Sequence, residues 1–205
     1  MSIKNIIFDF GGVIVDIDRD AAVRQFKAAG IADIETYIDP YRQKGIFKDF
    51  EDGSVSREQF YEKLALIAGV PVDPEEIDRG WLDFLKKPVS QKKLDYISEL
   101  RKNRKTMLLS NTNPIIMEWA NSPQFSPSGK PLESYFDIMF LSYKMRCMKP
   151  DSRIYSQLVA AANINPEETL FIDDSRANIE AGAACGFRTL LFENDSDFFK
   201  IENLL

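Results

Sequence analysis

The chain contains no histidine. That absence removes Ser-His-Asp and Cys-His nucleophile systems, and with them the usual zinc sites built on imidazole. Acid–base work must then fall to Asp, Glu, Lys, Tyr or water. Cysteine is nearly as scarce: Cys147 and Cys185 stand alone, in no metal-ligand pattern. With no leader-like segment ahead of them, they suit free thiols in a reducing cytoplasm. Long apolar runs are missing too. The N-terminal stretch MSIKNIIFDFGG is far too short to span a membrane and carries no cleavage region. A soluble, cytoplasmic protein is expected. Basic charge is in deficit, with 26 Lys and Arg against 32 Asp and Glu and a net charge of −6. A nucleic-acid partner is therefore not expected. The sign of the substrate stays open, because one bound cation reverses the field in a cleft.

What is present is an ordinary globular composition. The 205 residues are 44% hydrophobic and 28% charged, enough for one sizeable core, or a core with a smaller inserted unit. Short apolar runs recur along it: IKNIIF at 3–8, TMLLS at 106–110, IMFLS at 138–142, TLFI at 169–172 and RTLLF at 188–192. Helical or loop segments separate them. Continuous apolar strands alternating with helices predict an α/β fold, a Rossmann-like parallel sheet with helices on both faces. Ser90, Asp151-Ser152 and Ser175 are placed to open helices between those strands, and Gly186 to close the last of them.

Residues 15–89 differ in character, with helical patterns and no convincing strand. DRDAAVRQFKAAG reads as a helix ending at Gly30. Ser56-Arg57-Glu58-Gln59 matches a capping box, and Asp73 before Pro74 is a helix start. A wholly helical block of this length exceeds a simple crossover. It is expected to form an inserted α-helical cap over an α/β core of residues 1–14 and 90–205. The stretch NSPQFSPSGKP at 121–131 reads as a surface loop.

In a parallel α/β sheet, ligands bind beyond the carboxyl ends of the strands. Four polar clusters fall there: Asp9, Ser110-Asn111, Lys149 and Asp173-Asp174. Alone, Asp9 is as well explained as a turn aspartate, Ser110 as a helix cap and Lys149 as a surface lysine. Asp173-Asp174 resists that reading. Two adjacent carboxylates after a buried strand repel each other, and a hard divalent cation such as Mg²⁺ removes the conflict.

Taken together, FDFGGVIVD, LLSNTN, the KPD of MKPDSRIY and FIDDSRANIEAGA resemble, in order, the four motifs of the haloacid dehalogenase superfamily of hydrolases. The similarity spans essentially the whole chain, with the helical block in the gap where that family's cap sits. It implies a Mg²⁺-dependent phosphatase acting on a small phosphorylated metabolite, with sugar phosphates foremost. Asp9 becomes the nucleophile that forms an aspartyl-phosphate. Mg²⁺ is held by Asp9, the Gly11 carbonyl and Asp174, with Asp173 direct or through water. Ser110 and the Asn111 backbone hold phosphoryl oxygens, and Lys149 neutralises nucleophile and transferring group. Asn178 is open to two readings, ordering the 173–174 loop or lying exposed on its helix, and the second is expected. Lys144, Arg146 and Arg153 are expected to form a solvated basic face.

One position departs from the pattern. The family's phosphatases carry a second aspartate two residues after the nucleophile, which protonates the leaving oxygen and later activates water; here Gly11 stands there. An easily expelled leaving group, such as an anomeric phosphate, is one resolution, and bacterial sugar-1-phosphate phosphatases of the family look similar. An acid from elsewhere is another, with Asp16, Asp18, Tyr41, Arg42 and Lys44 as candidates. A catalytically weak phosphate-binding or regulatory protein is the third. A 2-haloacid dehalogenase needs no metal and ill suits paired carboxylates, and a phosphomutase leans harder on the missing aspartate. The oligomeric state leaves no trace in the sequence.

Overall fold

The computed structural model describes residues 2–39, 43–86, 88–198 and 200–205. Its sheet consists of β1 (Asn5–Phe8), β2 (Lys105–Ser110), β3 (Ile138–Leu141), β4 (Thr169–Asp173) and β5 (Arg188–Leu191). The strands run parallel in the order β3-β2-β1-β4-β5. β1 is therefore central, with β2 and β4 on either side. The register pairs Phe8 with Leu108 and with Ile172, so the three strands end at one level and deliver the residues that follow them to one edge.

Alternation along the strands builds two apolar layers. Ile6, Phe8, Leu108, Leu170 and Ile172 join one cluster, while Ile7, Met107, Leu109 and Phe171 join the other. The first face is covered by α5 (Gln91–Arg101), α6 (Pro114–Ala120) and the C-terminal α10 (Asp195–Phe198). The second is covered by α8 (Ser152–Ala162) and α9 (Arg176–Ala184). The short α7 (Ser142–Met145) follows β3 directly. All five apolar runs become strands, and both faces carry helices.

Between β1 and β2 the chain forms α1 (Arg19–Ala28), α2 (Gly45–Glu51), α3 (Arg57–Ala68) and α4 (Pro74–Asp83). Local signals explain these ends. Asp18 caps α1 through Ala21 N, Asp73 caps α4 through Glu75 N ahead of Pro74, and Ser56 and Gln59 close a complete capping box on α3. These helices meet over an aromatic core of Phe26, Phe47, Phe50, Phe60 and Trp81; Phe50 and Phe60 stack with ring centroids 4.4 Å apart. The two passages joining the helical block to the sheet run antiparallel, bridged at Ile17 and Leu85 and bonded by Asp18 N to Phe84 O and Lys86 N to Asp16 O, both 2.8 Å. Buried Lys93 of α5 grips the first passage, donating to Val13 O at 3.0 Å. Among the described residues, no helix is long and apolar enough to cross a membrane.

Candidate active site

The strand ends converge on one lysine. Asp9, the first residue past β1, continues the ladder through its N–H to Ile172 O at 2.9 Å. Its Oδ1 accepts from Phe10 N at 2.6 Å and lies 2.8 Å from Lys149 Nζ. Lys149 Nζ also donates to Asp173 Oδ2 at 2.6 Å and to Leu109 O at 2.9 Å. Three acceptors use the three protons of the ammonium. The Asn111 side chain fixes this lysine's backbone from both sides: Lys149 N donates to Asn111 Oδ1 at 2.9 Å, and Asn111 Nδ2 donates to Lys149 O at 3.0 Å.

Asp173 is fully buried and fully engaged. Its second oxygen, Oδ1, accepts from Ser175 N at 2.8 Å and Asn178 Nδ2 at 2.9 Å. Asp174 is different. Among the described residues no other residue bonds its carboxyl, which lines the cleft beyond β1 and β4. Asp9, Asp173 and Asp174 can each bring a carboxylate oxygen within 4.8 Å of the others. Gly12 makes room for this approach. Its φ is +76°, and a Cβ there would fall 2.0 Å from Asp174 Oδ2.

The electrostatics follow from the count, three carboxylates against one ammonium. Burial holds the Asp9 carboxyl well above the usual carboxylate range; Lys149 opposes this, and Asp173 and Asp174 add to it. Burial and then Asp173 raise Asp174 to about 6. For Lys149, burial pulls down, but Asp173 and Asp9 outweigh it and hold the ammonium above its ordinary range. The cluster lacks positive charge, and hard oxygen donors surround the deficit. That is the donor chemistry of a small dication such as Mg²⁺.

The cleft is walled by Asp9, Gly11, Lys149 and Asp174 from the core and by Ile17, Gln43, Glu51, Phe84 and Leu85 from the helical block and its passages. At the end of β2 the wall is formed by Asn111 and Thr112. Ser110 lies behind it, buried, with its hydroxyl 3.3 Å from Asn111 O. Asn178, expected on an exposed helix face, is instead buried and orders the 173–174 turn. Its place five residues after Asp173, on the first turns of α9, points it back at that carboxylate.

The described candidates for a replacement acid fall away from the cleft. Asp18 is engaged as a cap, and Asp16 has an exposed side chain beside Lys93. Lys44 lines a separate cavity with Arg19 and Tyr37, and Tyr41 and Arg42 lie outside the described residues. Arg153 is exposed and paired with Asp151 at 2.7 Å, as a solvated face requires. Two wall residues carried no signal in the sequence: Gln43 and Glu51, both buried. Burial raises Glu51 to about 8, with Asp52 adding to the shift and Lys149 opposing it.

Sheet order, strand-end carboxylates and buried lysine fit an α/β hydrolase. Comparison with known proteins agrees. The family profile of the haloacid dehalogenase-like hydrolases matches residues 3–186, and the chain belongs to that family. It is 47% identical to the D-ribitol-5-phosphate phosphatase of Bacteroides thetaiotaomicron, over 96% of this chain and 95% of that one. A haloacid dehalogenase-like hydrolase from Porphyromonas gingivalis superposes with a TM-score of 0.93 at 39% identity, covering 99% of this chain and 97% of the other. A haloacid dehalogenase-family enzyme of B. thetaiotaomicron, solved with magnesium and inorganic phosphate, superposes at 0.85 with 33% identity, covering 97% and 100%.

Proposed function

We propose that this hydrolase removes phosphate from a small phosphorylated polyol or sugar, with Mg²⁺ as its cation and Asp9 as its nucleophile. The observation that carries the reading is the Asp9–Lys149–Asp173 ion chain beside the Asp174 carboxylate, with Asp9, Lys149 and Asp174 lining one cleft. The phosphatase relative, 47% identical over almost its entire length, supports the substrate class. The neighbour solved with magnesium and phosphate supports the cation.

The donor set fits Mg²⁺. Asp9 and Asp174 would hold it with the Gly11 carbonyl, while Asp173, already occupied by Lys149, Ser175 and Asn178, supports from behind. When bound, the cation neutralises and orients the phosphoryl oxygens. The protein's own groups do the rest. Lys149 and Phe10 N hold Asp9 by Oδ1. Its Oδ2, with no partner among the described residues, is the oxygen left to approach phosphorus. Attack forms an aspartyl-phosphate and releases the alcohol. Lys149 stays beside the charge that moves from carboxylate to phosphoryl group. The Asn111 backbone and the Ser110 and Thr112 hydroxyls are the neutral groups at that strand end for phosphoryl oxygens. Water then hydrolyses the acyl-phosphate.

Residues 15–89 act in this reading as a cap on the core of 1–14 and 90–205, supplying the walls that choose the alcohol. The protein works in the cytoplasm, consistent with its net charge and free thiols.

A panel of phosphate esters tests the assignment: pentitol and sugar phosphates, sugar 1-phosphates, nucleotides and para-nitrophenyl phosphate, each with Mg²⁺ and with chelator. Polyol and sugar phosphates are expected at the top, with all turnover lost in chelator and in Asp9→Asn. Turnover that survives Asp9→Asn would overturn it, as would release of halide from haloacetates without metal.

A further inference from the structure

An open-chain polyol 5-phosphate is the ester of a primary alcohol. Its departing oxygen is strongly basic and needs a proton as the P–O bond breaks. The position that serves this need in the family's phosphatases is Gly11, which has no side chain. A substrate like that of the phosphatase relative therefore removes the easy-leaving-group resolution for this site, and another acid must reach the cleft.

One carboxyl on the wall is unassigned. Of the acidic residues lining the cleft, Asp9 and Asp174 serve phosphorus and cation, and the third is Glu51. It ends α2 and is 5% exposed, and among the described residues its carboxyl has no hydrogen-bond or ion-pair partner. Its backbone is fixed on the core. Ser142 Oγ donates to Glu51 O at 2.6 Å. Two residues on, Gly53 at φ +75° presses so closely on Tyr143 that a Cβ would sit 2.2 Å from the Tyr143 carbonyl oxygen. The side chain thus stands on the cap side of the cleft, opposite the strand ends that hold the phosphoryl site.

We propose that Glu51 is the general acid and base of this enzyme, standing in for the aspartate that Gly11 lacks. The inference rests on the phosphatase reading above. In the first step an Asp9 oxygen bonds to phosphorus, the ester P–O bond breaks, and the Glu51 proton passes to the alcohol oxygen. In the second, the Glu51 carboxylate takes a proton from water as that water bonds to phosphorus and the Asp9–phosphorus bond breaks. The sum is ester plus water to alcohol plus phosphate, with both carboxyls restored. Burial keeps Glu51 protonated at neutral pH, as the first step requires. The charged groups around it are Asp52 on its own element and Lys149, Asp9 and Asp174 across the cleft.

The test compares two leaving groups in Glu51→Gln. On a pentitol 5-phosphate, kcat is expected to fall by roughly 10²–10⁴. Para-nitrophenyl phosphate expels a stable phenolate without a proton, so its first-turnover burst is expected to lose far less, followed by slow acyl-phosphate hydrolysis. Glu51→Asp, an acid one methylene short, is expected to recover part of the alkyl activity that Gln does not. Equal losses on both esters in a variant that melts like wild type would overturn the proposal, as would full alkyl activity in Glu51→Gln. Asp9→Asn reports separately on the underlying reading, because it is expected to abolish both esters including the burst.

Discussion

The hydroxyl of Ser142, on the core, donates to the backbone carbonyl of Glu51, on the last turn of α2, across 2.6 Å. The same oxygen accepts from Thr112 N at 2.9 Å. One side chain thereby joins the β2 end of the cleft to its helical wall. Ser142→Ala removes a contact contributing about 1 kcal/mol. The expected result is a severalfold rise in KM for a sugar or polyol phosphate with a smaller change in kcat. Unchanged steady-state constants would mean that this bond does not hold the wall in place.

Gly12 carries a second expectation. A methyl group there meets Asp174 Oδ2 at 2.0 Å, on a backbone at φ +76° that disfavours any side chain. Gly12→Ala must displace Asp174. The Mg²⁺ concentration for half-maximal activity is expected to rise by about 10–100-fold. A magnesium titration of activity reads this directly, and an unchanged midpoint contradicts the placement of Asp174 at the cation.

Lys149 compensates two buried carboxylates at once. Lys149→Met strands them, at a cost of about 3–5 kcal/mol for breaking such a pair. Activity is expected to vanish and the urea midpoint to drop. The stability gap to wild type should narrow as pH falls, because protonation neutralises the stranded groups.

Glu51 gives a pH-dependent stability. Its folded-state value is raised from an ordinary 4.5 to about 8 by burial. Between those values the folded protein keeps the proton and the unfolded chain releases it. Stability from this group is therefore full below 4.5 and is lost as pH rises through about 8. Glu51→Gln escapes the loss. Its melting temperature should match wild type near pH 4.5 and exceed it by a few degrees above pH 8. A constant difference across that range would show that the carboxyl is solvated.

Much of this arrangement was legible in the chain itself. The five strands announced themselves as unbroken apolar runs, because a parallel sheet buried on both faces needs them. Asp173-Asp174 stood out because two adjacent carboxylates after such a run repel each other, whereas Asp9 gained its meaning only together with the other strand-end motifs. Asn178 and Glu51 were not legible. Asn178 sits on a helix whose pattern suits solvent, and only the turn of Asp173 makes it a buried donor. Glu51 lies in the acidic run DFED, which reads as a solvated face. Its burial depends on α2 docking at Ser142, 91 residues away in sequence. Ser110 followed the strand-end rule, but the wall at that point is made by its two successors.

Asp9 is expected to become covalently phosphorylated during turnover. Mass spectrometry of protein quenched in acid while turning over with Mg²⁺ reads this out. A phosphoryl group is expected on the peptide containing Asp9, absent in chelator and in Asp9→Asn. Full turnover with that peptide unmodified, together with an active Asp9→Asn variant, would contradict it.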